Sequence, residues 1–215
     1  MKTLILKYAF EYLTGEPVYI DNAPNGLSCN CICPECGKQM IAIQGKSENH
    51  REWHFRHSEE TNCKGGQETA IHKLAKQIIV DNSQIEIPGD TLNYSETRQE
   101  EKFQSVIPDV TVIANGRNVF FEIEVTNPVD NFKEAFYKNG KYKSVKIDLT
   151  NISQDTTPEK LKEIVLQQTN NKKLIFWDTT WSKLTLFCKE NPKTALIIGI
   201  GVYLIIRRVW KIITK

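Results

Sequence analysis

The sequence predicts an α/β fold: a mixed sheet with helices packed on it, preceded by a small cysteine-rich module and followed by an apolar helix. Three observations carry this. Asn115-Gly116 separates two runs rich in β-branched and aromatic residues within Val106–Thr126. Asn-Gly is the strongest short hairpin signal, because both turn residues must accept positive φ. Helical and strand-like stretches then alternate from Val129 to Asp178, which favours helices laid on a mixed sheet. Five of the six cysteines, finally, fall between Cys29 and Cys63, well before the hairpin.

A chain of 215 residues, 40% hydrophobic and 25% charged, can bury one moderate core and a small accessory module. The expected organisation is a β-rich lead-in over 1–25, the cysteine module over 26–65, the α/β domain over 66–182 and a tail over 183–215. Net charge is +2, unevenly placed: from Lys183 onward seven basic residues stand against one acid, which leaves the rest of the chain at −4. A mildly acidic body argues against loose, charge-driven coating of nucleic acid, so any binding needs a local basic strip. Met1-Lys-Thr-Leu-Ile-Leu-Lys7 breaks off before an apolar core forms, so no secretory signal is read there and a cytoplasmic location is expected. In such a chain, clustered cysteines favour metal over disulfides.

The lead-in alternates enough (Leu4, Leu6, Tyr8; Val18, Ile20) to suggest strands. Cys33-Pro-Glu-Cys36-Gly37 has the spacing of a zinc knuckle: two thiolates three positions apart reach one tetrahedral ion, and the glycine lets amides turn toward the sulfurs. Downstream of a strand-like Gln39–Gln44, the ligand candidates are His54, His57 and Cys63. The favoured set for structural Zn²⁺ is Cys33, Cys36, His57 and Cys63, with His54 the alternative that packs or binds phosphate. Cys29 and Cys31 are spare ligands or plain small residues.

Lys64-Gly-Gly-Gln67 opens a helix over Glu68–Val80, in which Ile71, Leu74, Ala75 and Ile78 form a buried stripe. Glu68 and His72 sit one turn apart at its edge. In the hairpin, a two-residue loop sets Ala114 opposite Arg117, Val112 opposite Val119, Val110 opposite Phe121 and Asp109 opposite Glu122. Period-two alternation then makes Val110, Val112, Val119, Phe121, Ile123 and Val125 one apolar face. The other carries Asp109 beside Glu122, with Glu124 on the diagonal. Opposed like charges destabilise a sheet, so these acids call for a counter-charge, and a divalent cation is the usual one. A solvated face of an amphipathic hairpin is the bland alternative.

After the hairpin, Val129–Tyr137 reads as a short helix carrying Lys133, Ser144–Thr150 as a third strand and Lys173–Asp178 as the last. Between these strands a helix runs through Gln168, with Thr157 as N-cap and Pro158 at its first position. The tail holds an uncharged run of thirteen residues, Thr194–Ile206, between Lys193 and Arg207-Arg208. At about 20 Å as a helix it falls short of the ~30 Å of a full span. Tyr203 and Trp210 suit an interface, and Lys193 and the arginines can snorkel. Membrane contact through 194–206, on the cytoplasmic face, is the expectation, and a buried oligomer helix the alternative. There is no internal repeat, Gly-rich phosphate loop or nucleophile elbow.

Pro108-Asp109-Val110 followed by Phe121-Glu-Ile-Glu-Val125 resembles the core of the PD-(D/E)XK nuclease superfamily, in which an Asp on one strand and an acid-x-Lys on the next hold the metal. Glu124 stands where lysine is usual; acid-x-acid variants occur, but the residue that would orient the attacking water is then missing. The longer string of knuckle, His54-Phe-Arg-His57, Cys63, Glu68-Thr-Ala-Ile-His-Lys-Leu-Ala-Lys76, Pro108-Asp-Val and Glu122-Ile-Glu-Val-Thr126 resembles the CoiA-like competence family over about Gly26 to Thr150. The resemblance implies a zinc-ribbon-like N-terminus and a nuclease-like domain. It further implies Glu68 as a helix-borne acid of the site, Asp109 and Glu122 as Mg²⁺ or Mn²⁺ ligands, Glu124 as the variant third position and Lys133 as the lysine after the Val-Thr element. His72 and Lys73 match the helix motif, and Lys133 or Lys73 could supply the charge missing at 124. A DNA nuclease is the expected function. A nuclease fold that binds nucleic acid without cutting it, or a membrane-anchored adaptor, are the readings set against it.

Overall fold

Among the described residues two five-stranded sheets and a two-stranded hairpin form, and the alternation of apolar residues decides where each five-stranded sheet lies. The computed structural model describes residues 6–45, 52–63, 66–126, 129–153 and 155–178, apart from the side chains of Gln67 and Glu68. Strands β1 (Tyr8–Glu11), β2 (Pro17–Tyr19), β3 (Gly26–Ile32), β4 (Gln39–Ile43) and β5 (His54–His57) pair antiparallel in the order β2-β1-β3-β4-β5. Tyr8, Phe10, Cys29, Cys31, Met40, Ala42 and Phe55 are buried in it. The lead-in strands thus share one sheet with the cysteine-bearing strands, through pairs such as Phe10 with Ile32. Within β3 the register slips at a bulge, where Asn30 takes a φ of 49°.

Helix α1 (Gln67–Val80) follows, then a small hairpin of β6 (Gln84–Ile87) and β7 (Asp90–Asn93). The second sheet is built from β8 (Ser95–Gln99), β9 (Val110–Ala114), β10 (Arg117–Glu124), β11 (Ser144–Asp148) and β12 (Lys172–Phe176), in the order β12-β11-β10-β9-β8. Helix α2 (Asn131–Gly140) carries the chain from β10 to the parallel β11, and α3 (Pro158–Leu166) joins β11 to the antiparallel β12. The fold class is therefore mixed α/β, as the alternation predicts. Asn115 and Gly116 have φ of 50° and 69°, the pair of positive values that the tight turn demands. The ladder follows: Ala114 pairs Arg117, Val112 pairs Val119 and Val110 pairs Phe121.

Both faces of β10 are covered. Helix α1 lies against β8, β9 and β10, with Ile71, Ala75, Ile78 and Ile79 buried. On the face of Phe120, the Tyr137 ring of α2 stacks at 5.4 Å, within a cluster that also holds Phe103, Phe136 and Tyr142. This second apolar contact is absent from the hairpin reading, which assigns that face to the acids alone. Burial of Glu122 and Glu124 follows from it. Helix α2 begins at Asp130, whose carboxylate accepts from the Phe132 amide at 3.0 Å. Thr157 caps α3 from in front of Pro158, accepting from the Lys160 amide.

Helix α1 also meets the N-terminal sheet. Lys73 Nζ lies 4.6 Å from the Phe10 ring centroid, a cation–π contact. At the helix start, a Cβ on Gly66 would come 2.8 Å from Pro34 Cδ and 2.9 Å from the Glu35 amide nitrogen. Only glycine allows the knuckle and the helix to touch there. Among the described residues no helix is long and apolar enough to cross a membrane. The run 194–206 lies outside them.

Candidate metal centre and acidic site

The knuckle closes as its spacing predicts. The Cys33 amide donates to the Lys38 carbonyl and the Gly37 amide to the Cys33 carbonyl, and Gly37 takes a φ of 69°. The turn brings the amides of Glu35 and Cys36 to the Cys33 sulfur, and that of Lys38 to the Cys36 sulfur. Strand β5 and the segment after it supply the remaining donors. Cys33 Sγ lies 3.8 Å from Cys63 Sγ, Cys36 Sγ lies 3.3 Å from His57 Nε2, and all four donors are within 4.8 Å of one another. Two sulfurs bound tetrahedrally at about 2.3 Å would stand about 3.8 Å apart, so three thiols and one imidazole fit zinc. Burial pushes the Cys33 thiol up to about 11. For Cys36 burial acts the same way, yet the Lys38 amide and the neighbouring thiols hold it below the ordinary cysteine range. Burial and then Lys38 lower the His57 pKa, which keeps the imidazole in its neutral, metal-binding form.

His57 rather than His54 joins this group for a simple reason: three positions apart on a strand, the two rings face opposite ways. His54 Nδ1 instead lies 2.8 Å from the Glu52 carbonyl oxygen. Cys29 and Cys31 are buried in the sheet, their thiols directed at the carbonyls of Met40 and Cys29. They act as small core residues.

The acids of the hairpin do come together, though not quite face to face. Strand pairing ends at Val110 with Phe121, and Asp109 turns its Oδ2 onto the Ile123 amide at 2.7 Å. His72 Nε2, from α1, is 3.2 Å from the same oxygen. Glu122 Oε2 accepts from Lys133 Nζ at 2.9 Å and its Oε1 from the Tyr137 hydroxyl at 2.6 Å, both from α2. Burial would raise the Asp109 pKa, but His72, the Ile123 amide and Lys133 outweigh it and hold the carboxyl low. Glu122 goes the other way: burial, reinforced by the Asp109 charge, lifts it above an ordinary glutamate despite Tyr137 and Lys133. Two neighbouring carboxyls are thereby pushed apart in acidity.

Glu124 faces a different partner. Lys146, on the parallel strand β11, reaches its Oε2 at 2.8 Å, and the Val129 amide donates to its Oε1. Of the two lysines that could replace the missing charge at 124, Lys133 contacts Glu122 while Lys73 is directed onto Phe10. Glu68 lies in the first turn of α1, one turn before His72, and its side chain is outside the described residues. Sequence reasoning did not find Tyr137 or Lys146. The sole hint of Lys146 is its alternation with Val145 and Ile147, and Tyr137 shows only as one more aromatic of a short helix.

The two donor sets differ. Carboxylate oxygens suit Mg²⁺ or Mn²⁺, but among the described residues only the Cys₃His set brings three or more donor atoms within 4.8 Å of one another. Protein side chains supply the counter-charge that the acids require. Comparison with protein-family models, with curated proteins and with solved structures finds no match in any of the three.

Proposed function

We propose that the chain is a metal-dependent nuclease that hydrolyses DNA phosphodiesters, with a structural zinc in its N-terminal sheet. The observation that carries this is the meeting of Asp109 and Glu122 at one end of the hairpin, flanked by His72 from one helix and Lys133 from another. Asp109, held ionised, and Glu122 would hold Mg²⁺ or Mn²⁺. Bound there, the ion supplies Lewis-acid stabilisation of the phosphate and a more acidic water. Lys133, a point charge on a flexible stem, is within reach of a phosphate oxygen beside Glu122 and serves in place of lysine at 124. His72 orients Asp109, and Tyr137 orients Glu122. Glu68, one turn before His72, is proposed to complete the acidic set.

The test is cleavage of labelled single- and double-stranded DNA by the purified chain across Mg²⁺ and Mn²⁺, beside Asp109→Ala and Glu122→Gln. Both variants should lose metal-dependent cleavage while keeping the wild-type circular dichroism spectrum. Retained cleavage in either one sinks the assignment.

A second reading has its own support. Glu124 is committed to Lys146, and both Glu122 oxygens already have donors, as in a nuclease fold kept for nucleic-acid binding alone. Tight DNA binding without turnover in either metal favours it. Attachment to the cytoplasmic face of a membrane through 194–206 would suit a nuclease in DNA uptake or phage defence, or an anchored adaptor. Cell fractionation after deletion of 192–215 tests the attachment.

A further inference from the structure

We infer that the substrate is single-stranded nucleic acid, and that Phe132 selects it by stacking an unpaired base next to the acidic site. This rests on the nucleic-acid reading above and adds the form of the substrate. Among the described residues six large apolar side chains are exposed. Four of them (Tyr12, Leu13, Leu27 and Trp53) belong to the N-terminal region. The other two, Ile107 at 51% and Phe132 at 57% exposure, are close in sequence to residues of the acidic site. Ile107 lies two residues before Asp109, and Phe132 immediately before Lys133, whose ammonium touches Glu122.

Folding gives no account of Phe132. Phe136, one turn further along α2, packs edge-on against Phe103 and Tyr137, whereas Phe132 takes no part in that ring cluster. Its amide is satisfied by the Asp130 cap, and that bond needs no particular side chain at 132. An aromatic face in water, next in sequence to Lys133, is the arrangement that receives a base and its phosphate together. Paired bases have their faces stacked inside the duplex, and reaching Phe132 would require flipping one out, at a cost of a few kcal/mol. A strand whose bases are already unstacked avoids that step.

Binding of the full, zinc-loaded chain to labelled oligothymidylate and to a blunt duplex of equal length, with Ca²⁺ in place of Mg²⁺ and Mn²⁺, tests the inference. Phe132→Ala should weaken single-strand binding about tenfold, the loss of one base–aromatic stack, and leave duplex binding within about twofold. Phe132→Trp should restore single-strand binding, and both variants should melt with the wild type. Unchanged single-strand binding in Phe132→Ala, or equal loss on both substrates, overturns the inference. Cleavage in Mg²⁺ and Mn²⁺ is scored separately. Stacking without turnover removes the nuclease reading and leaves Phe132 its role; turnover that is indifferent to Phe132→Ala does the reverse.

Discussion

Lys146 and Glu124 sit on adjacent parallel strands with their charged atoms 2.8 Å apart, and both side chains are largely withdrawn from water. Breaking a buried pair from one side leaves the other charge uncompensated. Lys146→Met should therefore cost about 3 kcal/mol, read by urea denaturation. Glu124→Lys, which installs the more usual lysine of the resembled motif, should be as damaging, because it opposes Lys146. Exchanging the pair (Glu124→Lys with Lys146→Glu) should recover most of the loss. Wild-type stability of Glu124→Lys alone would show that the pair is not what holds this end of the sheet.

The zinc assignment predicts metal content residue by residue. Purified protein should carry about one zinc per chain. Cys33→Ser, Cys36→Ser, His57→Ala and Cys63→Ser should lose most of it, whereas His54→Ala, Cys29→Ser and Cys31→Ser should keep it. Because such a metal is coupled to folding, the first four should melt about 10 °C lower. Metal analysis and calorimetry on the same samples decide. Retention of zinc by His57→Ala would return His54 to the ligand set.

What the residues disclose in advance, and what they hide, divides by range. The hairpin register follows from Asn115-Gly116 because two residues fix every later pair. The knuckle follows from Cys33, Cys36 and Gly37, and the cap of α3 from Thr157-Pro158; each is a local rule. Lys146 beside Glu124, by contrast, depends on a parallel pairing made through α2, which no short window encodes. The same is true of Tyr137 under Glu122, and of Phe120, which turns the acidic face into a second buried one. His72 is legible as a helix-edge residue, and its meeting with Asp109 only from tertiary packing. The polar strand β8 shows no apolar alternation, since it forms the exposed edge of its sheet.

Lys172 makes stability depend on alkaline pH. It is 6% exposed, and burial, only partly offset by Glu86, pulls its pKa down to about 8. Between about pH 8 and 10.5 the unfolded chain binds this proton and the folded chain does not, so stability contributed by this group rises with pH across that window. Below it the cost is complete, about 3 kcal/mol, eased by the ammonium's bond to the Gln168 carbonyl. Lys172→Met should melt higher than wild type at pH 7, with an advantage that shrinks toward pH 10.5. A pH-independent difference in melting temperature would refute this account.

Gly66 sets the contact between the knuckle and α1. A methyl group there must displace the Pro34 ring or the Glu35 backbone, so Gly66→Ala should cost about 1–3 kcal/mol. Thermal melts should register that loss, and Gly66→Ser should be at least as damaging. A variant as stable as wild type would mean that the turn yields freely.

The same contact ties together two parts of the molecule that share no ligand. The helix that starts against Pro34 is the one that delivers His72 to Asp109, so the knuckle is the footing from which that imidazole is aimed. Stripping the thiol-held ion would slacken the footing first and misdirect the histidine second. On the nuclease reading proposed above, chelators chosen to spare magnesium should therefore still lower cleavage from a distance.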